Sequence, residues 1–236
     1  MKKIILTCEH GGAEIPAPYK KLFKHNMGVL KTHRGLDIGA LAVAKDLKNE
    51  LNSPLIYSVV TRLLVDLNRF LGSLTLFSEF SNILSRAEKD KIIAQYYKPH
   101  WIRVHRVVES LITKKNTVIH IAVHSMTDNL NGNIRTMQLA LLYDPKRTVE
   151  KKFSSLWIAE LRKEFPDFKI ARNNPYKGDG EGLTSTFRTL FKPNSYLGIE
   201  IEINQGYLNA IKNKKSRILF SHRLSRSLRR AMTRLN

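Results

Sequence analysis

Short continuous apolar runs alternate along this chain with longer stretches in which apolar residues recur at helical spacing. Lys3 to Cys8 is the first such run and predicts a buried strand. Asp37 to Leu51 predicts a helix, with Ile38, Leu41, Ala42, Ala44 and Leu47 on its apolar side and Asp37 as N-cap. Leu55 to Val60, Thr117 to Val123 and Thr136 to Leu142 predict three further strands. Arg86 to Thr113 reads as a long amphipathic helix, bent where Pro99 interrupts it. Lys151 to Glu164 predicts another helix, Phe168 to Ala171 a short strand, Leu197 to Ile203 a late strand and the C-terminal segment a last helix. Strands separated by helices imply βαβ units, so the expected class is α/β with a mostly parallel, covered sheet. No repeat, low-complexity tract or linker divides the sequence, and one domain over residues 1–236 is expected.

Composition narrows the class further. An apolar content of 42% in 236 residues suffices for a sizeable core and argues against global disorder. No apolar run is long enough to span a membrane. The apolar stretch near Met1 is too short for a signal peptide, and Glu9 and His10 interrupt it. The lone Cys8 excludes an internal disulfide and fits a reducing compartment, so a cytoplasmic location is expected.

Charge adds a complication. Forty Lys and Arg against twenty Asp and Glu give a formal +20. Such a field attracts anions: nucleic acid, an acidic membrane surface or a carboxylate substrate. The excess is concentrated from Lys212 to Arg234, where no acid occurs. That segment could lie on nucleic acid or an acidic membrane surface. The favoured reading is a helix of about residues 211–236 that packs through Leu219, Phe220, Leu224, Leu228 and Met232 and keeps a solvated basic face.

The polar residues that look chemical follow the predicted strands. The first strand runs into Glu9-His10-Gly11-Gly12, and the second leads to Arg62 and Asp66-Leu67-Asn68-Arg69. The third ends in His124-Ser125, and the late strand carries Glu200 and Glu202. Ligands of open α/β sheets bind beyond the carboxyl ends of the strands, so separate segments deliver imidazoles, an arginine and a carboxylate to one edge. Two His and one carboxylate make a catalytic zinc site with an open position, and a nearby Glu can serve as general base. An arginine can fix a substrate carboxylate. The glycine-rich stretch Arg172 to Gly182 reads as a long loop, expected as a flap over the site.

Cys8-Glu9-His10-Gly11-Gly12 with Ile15-Pro16, and His33-Arg34-Gly35-Leu36-Asp37-Ile38-Gly39-Ala40, resemble two signatures of the N-formylglutamate amidohydrolase family. Val65-Asp66-Leu67-Asn68-Arg69, His124-Ser125-Met126-Thr127, Asn174-Pro175-Tyr176 and Glu202-Ile203-Asn204-Gln205 resemble further blocks of it in the same order, over roughly residues 3–208. The family is related to zinc carboxypeptidases and aspartoacylases, which implies a three-layer α/β/α, phosphorylase/hydrolase-like fold.

The resemblance implies one zinc ion per chain, with His10 and His124 as its imidazole ligands. The relatives' ligand Glu, three residues after the first His, is here Ala13. Asp37 takes that role in our reading, with Glu14 and His33 as alternatives. Glu202 matches the general base, and Asn68-Arg69 resembles the pair that grips a substrate carboxylate. Arg34, Arg62 and Arg172 are candidates for polarising the scissile carbonyl or holding substrate. The activity implied is hydrolysis of an N-acyl acidic amino acid such as N-formyl-glutamate. The rival readings are a metallo-carboxypeptidase or peptidoglycan-type amidase acting on a peptide amide, and a non-catalytic anion-binding protein with a degenerate site.

Overall fold

The structure, a computed structural model, describes residues 1–211 and 213–235; Lys212 and Asn236 of the basic segment lie outside the described residues. Six strands form the main sheet: β1 (Lys2–Cys8), β2 (Leu55–Tyr57), β3 (Thr117–Met126), β6 (Leu139–Leu142), β7 (Ile170–Arg172) and β8 (Tyr196–Asn204). Their order is β2-β1-β3-β8-β6-β7. Pairing is parallel except between β6 and β8. A short antiparallel pair, β4 (Asn129–Leu130) and β5 (Asn133–Ile134), stands apart.

Helices cover both faces, because alternation along each strand sends apolar side chains both ways. Ile119, Ile121 and Val123 of β3 and Leu197, Ile199, Ile201 and Ile203 of β8 join one core with helices α1 (Ala40–Leu51), α4 (Thr148–Glu164) and α7 (Lys214–Arg234). Val118 and Tyr196 face the other way, into a second core with α3 (Lys98–Thr113) and α5 (Leu183–Leu190). This is a three-layer α/β/α arrangement around a mostly parallel mixed sheet. By the same alternation His120, His124, Glu200 and Glu202 all lie on the α3/α5 face.

Several expected boundaries move. α1 starts at Ala40, not Asp37, because Gly39 occupies its N-cap in the left-handed region at φ +81°. Asp37 therefore does not cap the helix. β2 stops at Tyr57; beyond it the chain turns away, and Val60 makes a single parallel bridge to Glu14. Between Arg86 and Thr113 the helix is continuous through α2 (Arg86–Ile92), a π turn (Ile93–Tyr97) and α3, so the irregularity precedes Pro99, which sits in the first turn of α3. α2 opens on a capping box between Ser85 and Glu88. Leu183–Leu190 and α6 (Gln205–Ala210) were not anticipated from the sequence.

α7 packs against α1 and α4 through Phe220, Leu224, Leu228 and Ala231; Met232 is half-buried, whereas Leu219 faces solvent. Its basic side is engaged with acids of those helices. Arg226 and Arg230 meet Glu164, Arg234 meets Glu160, Arg217 meets Asp46 and His222 meets Glu50. Among the described residues no helix is long and apolar enough to cross a membrane.

Candidate active site

Three chain segments converge at the carboxyl ends of β1 and β3. His10 follows β1 by two residues. His124 lies within β3, directly beside Glu202 of β8. Asp37 precedes α1, and its backbone N–H donates to the His10 carbonyl at 2.9 Å, which pins the two segments together. Ser125 assists: its hydroxyl donates to the Ile38 carbonyl at 2.9 Å and its own N–H points at Asp37 Oδ2 at 3.4 Å. The intervening loop packs tightly: a Cβ on Gly12 would fall 2.5 Å from the Val59 carbonyl oxygen, so only glycine fits.

The resulting geometry is compact. Asp37 Oδ2 is 2.7 Å from His124 Nδ1 and 3.4 Å from His10 Nδ1. The two imidazole centroids are 5.2 Å apart, and ligand atoms of His10, Asp37 and His124 all lie within 4.8 Å of one another. The opposite nitrogens meet carboxylates: His10 Nε2 lies 2.7 Å from Asp66 Oδ1 and His124 Nε2 lies 3.2 Å from Glu9 Oε2. Behind them Arg62 donates to Asp66 Oδ2 at 2.7 Å and lies 3.5 Å from Asp37 Oδ1. His100 Nε2 stands 3.7 Å from Glu9 Oε1.

Burial makes these charges interdependent. Desolvation would raise the carboxyl of Asp37, but the His10 and His124 charges and hydrogen bonds outweigh it and hold the group below the usual carboxylate range. Glu9 is likewise held well below that range against its burial, by His100 and His124, and Asp66 by Arg62 and His10. Burial opposes a charged His124, yet Asp37 and Glu9 raise it well above the ordinary imidazole value. Glu202 moves the other way: burial pushes it up to about 8, with Asp37 and Glu200 adding to the rise.

Five polar atoms in this cluster are buried without a hydrogen-bond partner among the described residues: His10 Nδ1, Glu202 Oε2, both carboxylate oxygens of Glu9 and His100 Nε2. An unpartnered imidazole nitrogen beside a carboxylate and a second imidazole fits a divalent cation, since each ring already turns its other nitrogen to an orienting carboxylate. His10, Asp37 and His124 could hold that ion. Of the alternative third ligands, Glu14 is exposed and outside the cluster, while His33 lines the adjoining cavity. Ala13, where the carboxypeptidase pattern has its Glu, packs beside Phe23, Leu30 and Leu63.

A cavity of about 580 Å³ opens over the cluster, lined by Arg62, Asn68, Arg69, Glu200 and Glu202 among others. Asn68 accepts from the Leu183 N–H at 2.7 Å and thereby ties its loop to the start of α5. Arg69 bonds Thr75 at 3.1 Å and the Asn68 carbonyl at 2.9 Å. Pro175, Tyr176, Lys177 and Glu181 of the expected flap segment also line the cavity. Glu181 accepts from Ser73 at 2.6 Å, and Tyr176 lies under the Arg135 guanidinium, 5.0 Å away. Arg34 and Arg172 are placed elsewhere: the first pairs with Glu79 on the surface, and the second ends β7 near Ser155 and is exposed.

Sequence reasoning singled out no role for Glu9 or His100, and named Asp66 only as part of a block that resembles the family's. A signal was present for Glu9. It directly follows the buried end of β1, Ile5 to Cys8, where a carboxylate is rarely found unless paired. His120, four residues before His124, is a core group: it sits between Thr7 (2.8 Å) and Tyr196 (2.7 Å), and burial lowers it to about 4. Cys8 is fully buried, and burial pushes its thiol up.

A gene product of Agrobacterium tumefaciens has a similar structure, with a TM-score of 0.83 and 26% identity over 98% of this chain and 90% of that one. The N-formylglutamate amidohydrolase of Ralstonia eutropha shares the fold at a TM-score of 0.71 and 20% identity, over 98% of this chain and 93% of that one. Comparison with curated proteins gives no significant match. The sequence model of the N-formylglutamate amidohydrolase family, however, matches residues 2–208. The chain thus belongs to the N-formylglutamate amidohydrolase family and is a hydrolase acting on an amide.

Proposed function

We propose that this chain is a zinc-dependent amidohydrolase that cleaves the amide of an N-acyl amino acid, with the acidic N-formyl-glutamate as prototype. The observation that carries the reading is the buried His10–Asp37–His124 cluster with the unpartnered Glu202 beside it. An imidazole and carboxylate donor set with an open side suits zinc. When bound there, the ion supplies Lewis acidity toward water and the scissile carbonyl.

The chain's own residues account for the remaining needs of the reaction. Glu202, buried beside the donor set with Oε2 unpartnered, is placed to accept a proton from the attacking water once the cation's charge favours its ionised form, and to return that proton to the leaving amine. Asp66 and Glu9 fix the orientation of the two imidazoles, so the donor set is rigid before substrate arrives. Arg62, at the cavity wall, offers positive charge to the developing oxyanion, and Arg69 with Asn68 offers donors to a substrate carboxylate. Pro175, Tyr176, Lys177 and Glu181 line the cavity, where a covering segment would limit the access of water to bound substrate. The anion-binding reading has less support, because Arg217, Arg226, Arg230 and Arg234 already pair with acids of α1 and α4.

Release of formate from N-formyl amino acids by the zinc-loaded protein tests this reading. Glu202→Gln is expected to lower kcat by about 10²–10⁴ while zinc content is retained. Full activity in that variant would remove Glu202 from the chemistry.

A further inference from the structure

Glu9 carries a fully buried carboxylate, and neither of its oxygens has a hydrogen-bond partner among the described residues. Two imidazoles face it from different layers of the fold. His124 Nε2, from β3, stands 3.2 Å from Oε2, and His100 Nε2, from α3, stands 3.7 Å from Oε1. The first ring belongs to the proposed donor set. The second takes no part in the proposed chemistry.

His100 sits where packing alone would favour an apolar residue. The buried positions of α3 are His100, Val104 and Val108, spaced by four, and the two valines join the core on this face of the sheet. An imidazole in such a stripe loses its hydration, a loss offset only where its nitrogen finds a partner. Among the described residues, Glu9 is the one acid within ion-pair reach of His100 Nε2. The helix is fixed to the site loop on either side of this residue: Tyr97 donates to the Arg69 carbonyl at 2.7 Å and Trp101 to the Leu67 carbonyl at 3.0 Å. His100 therefore meets Glu9 from a braced element.

The need for that contact follows from the tautomer of His124. A ring that turns Nδ1 toward Asp37 and a cation carries its proton on Nε2. Asn68 Nδ2 lies 3.5 Å from that atom but is itself a donor, because the Asn68 oxygen accepts from Leu183 N–H. Glu9 Oε2 is left as the acceptor. The other oxygen of Glu9 then needs a donor of its own, since a buried carboxylate satisfied on one side only is costly to hold in place. His100 Nε2 is positioned to supply it.

We propose that His100 is a positioning residue: through Glu9 it holds the His124 ring with Nδ1 toward the cation site. The inference rests on the zinc reading and adds to it a residue outside the donor set, carried by the opposite layer of the fold.

Zinc affinity, measured by competition with a chelator on folded protein, tests this with two variants. His100→Gln keeps a donor near the place of Nε2, whereas His100→Leu suits the apolar stripe and donates nothing. Positioning predicts that His100→Leu weakens zinc binding by roughly 10–100-fold and that His100→Gln restores most of the loss. A role in packing alone predicts the reverse order, leucine being the better core residue. Unchanged affinity in His100→Leu, or a glutamine variant as weak as the leucine one, overturns the proposal and leaves the zinc reading standing. Should His100→Leu fail to fold, His100→Gln decides: affinity near wild type supports the proposal, and a loss of about tenfold or more overturns it. A wild type with no affinity for zinc defeats both readings.

Discussion

Asp37 shows how much of a site one residue's surroundings decide. By sequence it suits a helix N-cap; in the structure Gly39 turns the chain into α1 and frees the Asp37 carboxylate to face two imidazoles. The same surroundings set a pH dependence. His124 is held protonated by Asp37 and Glu9 well above the usual imidazole value, so a metal ion must compete with that proton. The sign follows: lowering the pH favours the proton and weakens metal binding. Zinc affinity, measured by competition with a chelator, is expected to fall on going from about pH 8 to about pH 6, with protons released on uptake. Pairings of this kind were the part of the site hardest to read in advance. His10 and His124 stand out because they break off apolar runs, and Arg69 and Glu202 because they lie in blocks that resemble the family's. Glu9, Asp66 and His100 acquire their roles only through contacts between segments far apart in the chain.

Elements were legible where burial is symmetrical. β1, β3 and β8 carry the sheet's densest runs of apolar and β-branched residues, broken by polar groups mainly on the α3/α5 face, and their type is hard to mistake. The turn after Tyr57 was not, because Ser58 to Val60 keeps a β-rich sequence while leaving the sheet. Likewise, Pro99 drew attention to the wrong place: it sits harmlessly in the first turn of α3, and the π turn before it carries the irregularity. α7 was recognised as amphipathic, but Leu219 turned out to lie on its exposed side. The energetics of α7 divide accordingly. Leu228 is buried between α1 and α4, and Leu228→Ala is expected to cost about 2–5 kcal/mol in urea unfolding. Arg226 and Arg230 are about half exposed, so Arg226→Gln and Arg230→Gln should each cost much less than Leu228→Ala in the same unfolding measurement. Equal losses from the leucine and arginine changes would mean that charge pairing, rather than burial, holds this helix.

For the whole molecule, the +20 charge stops being a puzzle about the C-terminal segment alone. Much of that segment's charge is directed inward at Asp46, Glu160 and Glu164, which binds α7 across the outer side of α1 and α4. The site lies across the sheet from that layer, on the α3/α5 face. Helix α7 can therefore stabilise the layered fold without touching the chemistry. What unites the two faces is the strand alternation that sends Ile121, Val123 and Ile201 one way and His124 and Glu202 the other. The function assigned here stands or falls with the three side chains at that edge. Elemental analysis of the purified protein after zinc loading and dialysis tests them directly. The account predicts about one zinc ion per wild-type chain and essentially none in a folded His10→Ala, His124→Ala double variant. Zinc retained undiminished by the double variant, or a folded wild type that takes up none, would contradict it.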